Sequence, residues 1–166
     1  MTTTTQRHGD HGLVIEIEQE FPTAPERVFR RWTDADALAR WFAPPGYVTV
    51  YSESDPRPGG LWRLEFRAQS GGHHYTEQGA FREVDPFERL ALTLTQVDVD
   101  HTNPETLVTV DLDDIGTTDA PRTLMRFTQS GYRSLALRND NEQGWRGCFA
   151  ALAHDLDASP DTGGPS

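Results

Sequence analysis

Residues 61–84, LWRLEFRAQSGGHHYTEQGAFREV, carry two alternating runs on either side of a double glycine. In the first run Trp62, Leu64 and Phe66 alternate with Arg63, Glu65 and Arg67, the two-residue period of a strand with one buried and one wet face. Gly71-Gly72 then supplies the backbone freedom of a tight turn, and a second strand runs over Tyr75–Val84. Two strands joined so closely must be antiparallel.

The same period extends outward in both directions. Downstream, Asp85-Pro86 marks another turn before a strand over Arg89–Val97, and longer connections lead to strands over Thr106–Leu112 and Thr123–Gln129. Asn139, with Glu142 three residues on, has the spacing of a capping box. It opens a long helix whose apolar stripe is Trp145, Cys148, Phe149, Leu152 and Leu156, with Arg146, His154 and Asp157 opposite. Upstream, Tyr47–Ser52 forms a strand that ends at the turn Asp55–Gly60. Before it, Pro25 starts a short helix carrying Val28, Phe29 and Trp32, and Thr33 or Asp34 caps a second carrying Ala37, Leu38, Trp41 and Phe42. Ala43-Pro44-Pro45-Gly46 stops that helix, and Leu13–Phe21 alternates as the first strand. The order predicts an α+β domain: a curved antiparallel sheet of about seven strands against a long C-terminal helix, with two short helices after the first strand.

Composition narrows the chemistry. The chain has 166 residues, the size of one domain, and a net charge of −11 with 15 basic residues, all of them arginine. Without lysine there is no Schiff-base or P-loop chemistry, and the acidic balance disfavours nucleic acid and anionic membranes. Cys148 is the sole cysteine, so neither an internal disulfide nor a cysteine-rich zinc site is expected. With no signal-like or membrane-spanning apolar run, the expectation is a soluble cytoplasmic protein, monomer or homodimer, and the lysine-free, Asp/Gly/Pro-rich composition resembles that of proteins from GC-rich genomes, so a bacterial source is expected. Residues 1–12 and 159–166 are polar and read as disordered tails around a domain over 13–158.

A curved sheet wrapped on a helix leaves space between them. The inward residues there are large: Trp41, Phe42, Trp62, Phe66, Tyr75, Phe81 and Trp145, with Phe149 on the helix stripe. They either line a cavity for an apolar ligand or fill an ordinary core. On the same basis Trp62→Ala is expected to weaken both stability and ligand binding.

The polar candidates sit on the strands. His73 and His74 are adjacent, so on a strand only one points inward, and a metal site is not expected. If Phe81 faces the core, alternation also turns His73, Tyr75, Glu77 and Gly79 inward, with His73 at the hairpin mouth and Glu77 deeper. A buried Glu77 would have to face a ligand, pair with an arginine, or be turned outward by a bulge. Gln96 either extends the Leu90-Leu92-Leu94 row with its amide or ends the strand in solvent. Arg126 should face solvent and Cys148 should behave as a small buried hydrophobe. The acidic clusters at Asp98-Asp100-His101 and Asp111-Asp113-Asp114 lack the glycine and terminal glutamate of a calcium loop.

Several segments together resemble a known family. They are Trp32 to Leu38 with Trp41-Phe42-Ala43-Pro44; Asp55-Pro56-Arg57-Pro58-Gly59-Gly60-Leu61-Trp62-Arg63; Gly79 to Leu90; and Gly144-Trp145. Such segments are similar to those of single-domain relatives of the ninety-kilodalton heat-shock chaperone's ATPase activator, in the START-like, helix-grip (SRPBCC) superfamily. The resemblance spans Leu13 to Leu156 and implies the helix-grip fold. Its motifs read as architectural, with Gly144 expected to let the last helix approach the sheet. The superfamily includes lipid transfer, hormone binding, polyketide cyclisation and chaperone regulation, so fold alone does not decide function. The eukaryotic activator carries a separate N-terminal chaperone-binding domain, which the twelve polar residues here are not expected to replace.

Three functions follow. The first is binding of a small apolar or aromatic molecule between sheet and helix, without a cofactor or metal, oriented by Glu77, Gln96, Tyr75 or His73. The second is an enzyme on the same scaffold, a cyclase, dehydratase or hydrolase of an aromatic or polyketide-like substrate, with His73 or Glu77 as general base and Tyr75 as proton donor. The third is a chaperone-regulating partner acting through its surface.

Overall fold

The computed structural model describes residues 13–158, so both tail readings lie outside the described residues. Seven strands form: β1 (Leu13–Phe21), β2 (Tyr47–Ser54), β3 (Leu61–Ala68), β4 (His74–Asp85), β5 (Arg89–Asp98), β6 (Thr106–Asp114) and β7 (Thr123–Tyr132). The helices are α1 (Pro25–Thr33), α2 (Ala35–Trp41) and α3 (Leu135–Ala158). All strand pairs are antiparallel, in the order β1-β7-β6-β5-β4-β3-β2. Strands β2 to β7 are thus a continuous meander, and β1 closes the far edge beside β7. This is the α+β helix-grip arrangement.

Local chemistry explains where the elements begin. Pro25 occupies the first turn of α1, where its missing N–H costs nothing, and Asp34 Oδ2 caps α2 by accepting from Ala37 N at 3.0 Å. Gly71 and Gly72 turn β3 into β4 with φ of 84° and 94°, values that side chains disfavour. Helix α3 starts at Leu135, four residues before the expected capping box. Ser134 Oγ accepts from Leu137 N at 3.2 Å and so takes the capping role assigned to Asn139. Glu142 instead pairs with Arg138 at 2.7 Å and Arg146 at 2.6 Å along the helix.

The concave face of the sheet and the two short helices share one aromatic core. Trp32 lies at its centre, edge-on to Trp41 at 4.8 Å and near-parallel to Trp145 at 6.1 Å. Asp155 of α3 ties both short helices to the long one, accepting from Arg31 and Arg40 at 2.8 Å each. Burial would raise the Asp155 carboxyl, but the Arg40 and Arg31 bonds outweigh it and hold it below its ordinary value. At the other end, the buried Arg138 donates Nε to Val14 O at 3.1 Å, which fixes α3 on β1.

The close approach expected at Gly144 occurs three residues later. A Cβ on Gly147 would lie 2.7 Å from Pro45 Cγ, whereas one on Gly144 would meet nothing within 4 Å. Gly144 therefore borders open space. Arg126 is exposed and bonded to Glu18 and Asp113, as alternation with Met125 and Phe127 predicts. No helix among the described residues is long and apolar enough to cross a membrane.

Candidate functional site

The space beside Gly144 is a cavity of about 140 Å³ between the sheet and α3. Its walls come from four places: Phe42 and Pro44 after α2; Tyr75 and Glu77 of β4; Leu94 and Gln96 of β5 with Gln129 of β7; and Asp140, Asn141, Gly144, Trp145 and Cys148 of α3. A larger dent of about 330 Å³ lies on the outer face of β3, β4 and β5, rimmed by Glu53, Leu61, Arg63 and Gln78. Those side chains belong to the solvent face by alternation, and Leu61 is 62% exposed. Of the two, the inner cavity is the candidate site because it holds a buried carboxyl together with convergent amides.

Glu77 is that carboxyl. Strand alternation turns it inward with Phe81, and only 8% of it is exposed. Its Oε2 accepts from Gln96 Nε2 at 2.9 Å, from the residue directly opposite on β5. Burial pushes the Glu77 carboxyl up to about 7, and the Gln96 bond only partly opposes this. Of the three readings of Glu77, neither arginine pairing nor a turned-out side chain occurs. What remains is a carboxyl on the cavity wall.

The amides beyond Gln96 form a chain. Gln96 Oε1 accepts from Asn103 Nδ2 at 3.1 Å and lies 3.5 Å from Asn141 Nδ2. Asn141 donates to Tyr132 Oη at 2.6 Å, and Tyr132 Oη donates to Gln129 Oε1 at 2.7 Å. Trp145 Nε1 also donates to Gln129 Oε1 at 2.7 Å, and Gln129 Nε2 donates to Thr106 Oγ1 at 2.8 Å. Networks so fully satisfied hold their members in one geometry. The cavity is thus preformed on its polar side.

Tyr75 stands at the rim, partly buried, with its phenol raised first by burial and then by the Glu77 charge. Beyond it, His73 bridges two strands, with Nε2 at 3.0 Å from Asp98 Oδ2 and Nδ1 at 2.5 Å from Tyr47 Oη. His73 stacks on Tyr75 at 5.8 Å. The His73 bond and the Val99 N–H hold the Asp98 carboxyl below its ordinary value. His73 lies just outside β4 and does not line the cavity. Cys148 does line it, with Sγ donating to Phe42 O at 3.4 Å, and burial raises its thiol. A thiol raised in this way is no nucleophile.

Of the residues expected to bind ligand, Phe42, Tyr75, Glu77, Gln96 and Trp145 come together on the cavity wall. Trp41, Phe66, Phe81 and Phe149 lie in the core, each no more than 1% exposed. Trp62 is 3% exposed, 5.8 Å from Phe42, and its Nε1 donates to Thr93 O at 3.0 Å. Its indole is part of the packing behind the cavity. Gln129, Asn141 and Asp140 were not among the expected residues. Gln129 follows Met125 and Phe127 in the inward row, so alternation could have found it, whereas the two α3 residues carry no local signal. Among the described residues, no group of three His, Cys, Asp or Glu side chains is placed to hold a metal ion.

Comparison with known proteins agrees with this architecture. A protein from Chromobacterium violaceum is 26% identical, with a TM-score of 0.72 over 85% of this chain and 95% of that one. A structure described as AHSA1 from Silicibacter pomeroyi is 22% identical, with a TM-score of 0.75 over 87% of this chain and 98% of that one. A protein from Arthrobacter aurescens is 19% identical, with a TM-score of 0.78 over 94% and 92% of the two chains. At these identities the second and third likenesses speak for the fold alone. No curated protein matches the sequence. The model of the family described as "Activator of Hsp90 ATPase homolog 1-like protein" matches residues 22–157. The match runs from the end of β1 almost to the end of α3. Sharing both that family's pattern and its helix-grip fold, the chain belongs to the Activator of Hsp90 ATPase homolog 1-like protein family.

Proposed function

We propose that this protein binds a small, largely apolar or aromatic molecule in the cavity between sheet and α3, with Glu77 and Gln96 orienting it. The fold commonly binds ligands, and one observation carries the reading for this chain. Glu77 is a buried carboxyl held by a neutral amide on the wall of the cavity between sheet and α3. Burying a carboxyl without a cation costs stability, so a core built for stability alone would hold a leucine there. Native mass spectrometry of the purified protein, followed by denaturing extraction, tests it. A stoichiometric small molecule released on unfolding supports binding. Unliganded protein that also takes up none of a panel of one-ring aromatic compounds contradicts it.

A catalytic reading on the same scaffold has one observation in its favour. A carboxyl pushed up to about 7 exchanges protons at neutral pH, as a general acid or base must. In that reading Glu77 transfers the proton and the Tyr75 phenol at the rim is a donor. Incubating the extracted molecule with fresh protein distinguishes the two, because a carrier returns it unchanged and an enzyme does not.

A further inference from the structure

Every ionisable side chain lining the cavity is an acid. Tyr75 and Glu77 come from β4, and Asp140 and Cys148 from α3; the other polar groups of the lining are the neutral amides of Gln96, Gln129 and Asn141 and the Trp145 indole. No arginine or histidine is among the lining residues. Of the cations of α3, Arg138 turns to Val14 O on β1, and both Arg138 and Arg146 are paired with Glu142. Beyond the rim, His73 is bonded to Asp98 and Tyr47.

The hydrogen bonds of the wall point the same way. The Gln96 amide donates to Glu77, the Asn141 amide to Tyr132, the Trp145 indole to Gln129, and the Gln129 amide to Thr106. Each of these groups thus has an N–H engaged within the protein, and the Tyr75 phenol at the rim is the hydroxyl donor of the lining. Beyond that phenol, what the wall offers an occupant is chiefly acceptor capacity, concentrated in the Glu77 carboxylate, whose two oxygens have about four acceptor positions, one of them taken by Gln96.

Building on the cavity-binding reading, we propose that the occupant carries a hydrogen-bond donor, above all a protonated amine, on a one-ring apolar or aromatic body, and that carboxylic acids are rejected. An ammonium beside Glu77 supplies the counter-charge that the buried carboxylate lacks, and a low-dielectric wall strengthens the pairing. A carboxylate there would set two like charges together, and one would have to take up a proton. Size limits the body: a cavity of about 140 Å³ is close to the ~150 Å³ apolar cavity that holds a benzene ring. Asp140, exposed at the mouth, adds a second negative charge on the entry path.

Three probes that share a phenyl ring and a two-carbon chain test this: 2-phenylethylamine, phenylacetate and 2-phenylethanol. Each is titrated calorimetrically into the full chain at pH 8, where Glu77 is mainly ionised. The amine should bind about tenfold or more tightly than the acid, with the alcohol between them. In Glu77→Gln the ratio of amine to acid affinity should fall towards one. Equal binding of acid and amine, or an amine preference that survives Glu77→Gln, overturns the inference. In that case alcohol binding that is lost in Gly144→Leu still upholds the cavity reading. If none of the three probes binds, the inference and the cavity reading both fail.

Discussion

Gln96 faces Glu77 across the β4–β5 ladder, and its amide nitrogen donates to the carboxylate at 2.9 Å. The pair is neutral on one side and acidic on the other, and it sits where the sheet comes away from α3. A carboxyl in this setting affects stability as well as binding. The folded protein holds the Glu77 proton up to about pH 7, while the unfolded chain releases it near 4.5. Between those values the folded state binds more protons than the unfolded one, so stability falls as pH rises through the window. The full effect is on the order of 3 kcal/mol, reached above pH 7. Glu77→Gln should therefore be more stable than the wild type at pH 8 and nearly equal to it at pH 4.5. Urea denaturation at the two pH values checks this, and an equal difference at both would remove Glu77 as the source.

The two α3 glycines should respond in opposite ways. Gly144→Leu improves helix propensity by roughly 0.5–1 kcal/mol and extends its side chain into the cavity, so thermal stability should hold or rise while ligand binding is lost. Gly147→Ala drives a methyl against Pro45 and should cost about 1–2 kcal/mol through overpacking. Thermal melts of both variants, compared with binding of 2-phenylethanol to Gly144→Leu, read out the difference.

Much of this was legible from period alone. Alternation places Trp62, Leu64 and Phe66 on the buried face of β3, and it places Glu77 inward with Phe81. It carries no information on where the helix lies over that face. That is why Phe66 and Phe81 lie in packed core while Tyr75 and Glu77, on the same face, border a cavity. The same limit applies to Trp62: its burial was readable, but its bond to Thr93 O depends on a neighbouring strand. The start of α3 was misread because Asn139 and Glu142 have capping-box spacing, although Glu142 spends its oxygens on two arginines of its own helix. Gly144 looked like a packing glycine because sequence does not distinguish a missing side chain that lets backbones meet from one that leaves a void.

Arginine burial sets another contrast. Arg138→Ala removes a buried guanidinium that joins Val14 O to the buried Glu142, and should cost about 3 kcal/mol. Arg126→Ala breaks two pairs on the exposed side of the sheet, with Glu18 and Asp113, and should cost less than about 1 kcal/mol. Chemical denaturation at one salt concentration compares them. If the two costs are equal, Arg138 does not anchor α3.

Cys148 should be inert in the native protein. Its thiol is buried, bonded to Phe42 O and raised above its ordinary value. An aromatic disulfide reagent at pH 8 should label it only after denaturation, and labelling of the native state within minutes would show the cavity wall opening.

The location of binding can be read from indole resonances, because the chain has four tryptophans in distinct settings. Trp145 Nε1–H lines the cavity and is bonded to Gln129, Trp41 Nε1–H is bonded to Arg31 O, and Trp62 Nε1–H to Thr93 O beneath the outer dent. Titrating 2-phenylethanol into nitrogen-15-labelled protein should move the Trp145 indole peak and the Gln96 and Asn141 side-chain amides in a saturable way, leaving Trp41 in place. Shifts confined to Leu61, Arg63 and Gln78 on the outer face, with Trp145 unmoved, would contradict a cavity between sheet and helix as the binding site.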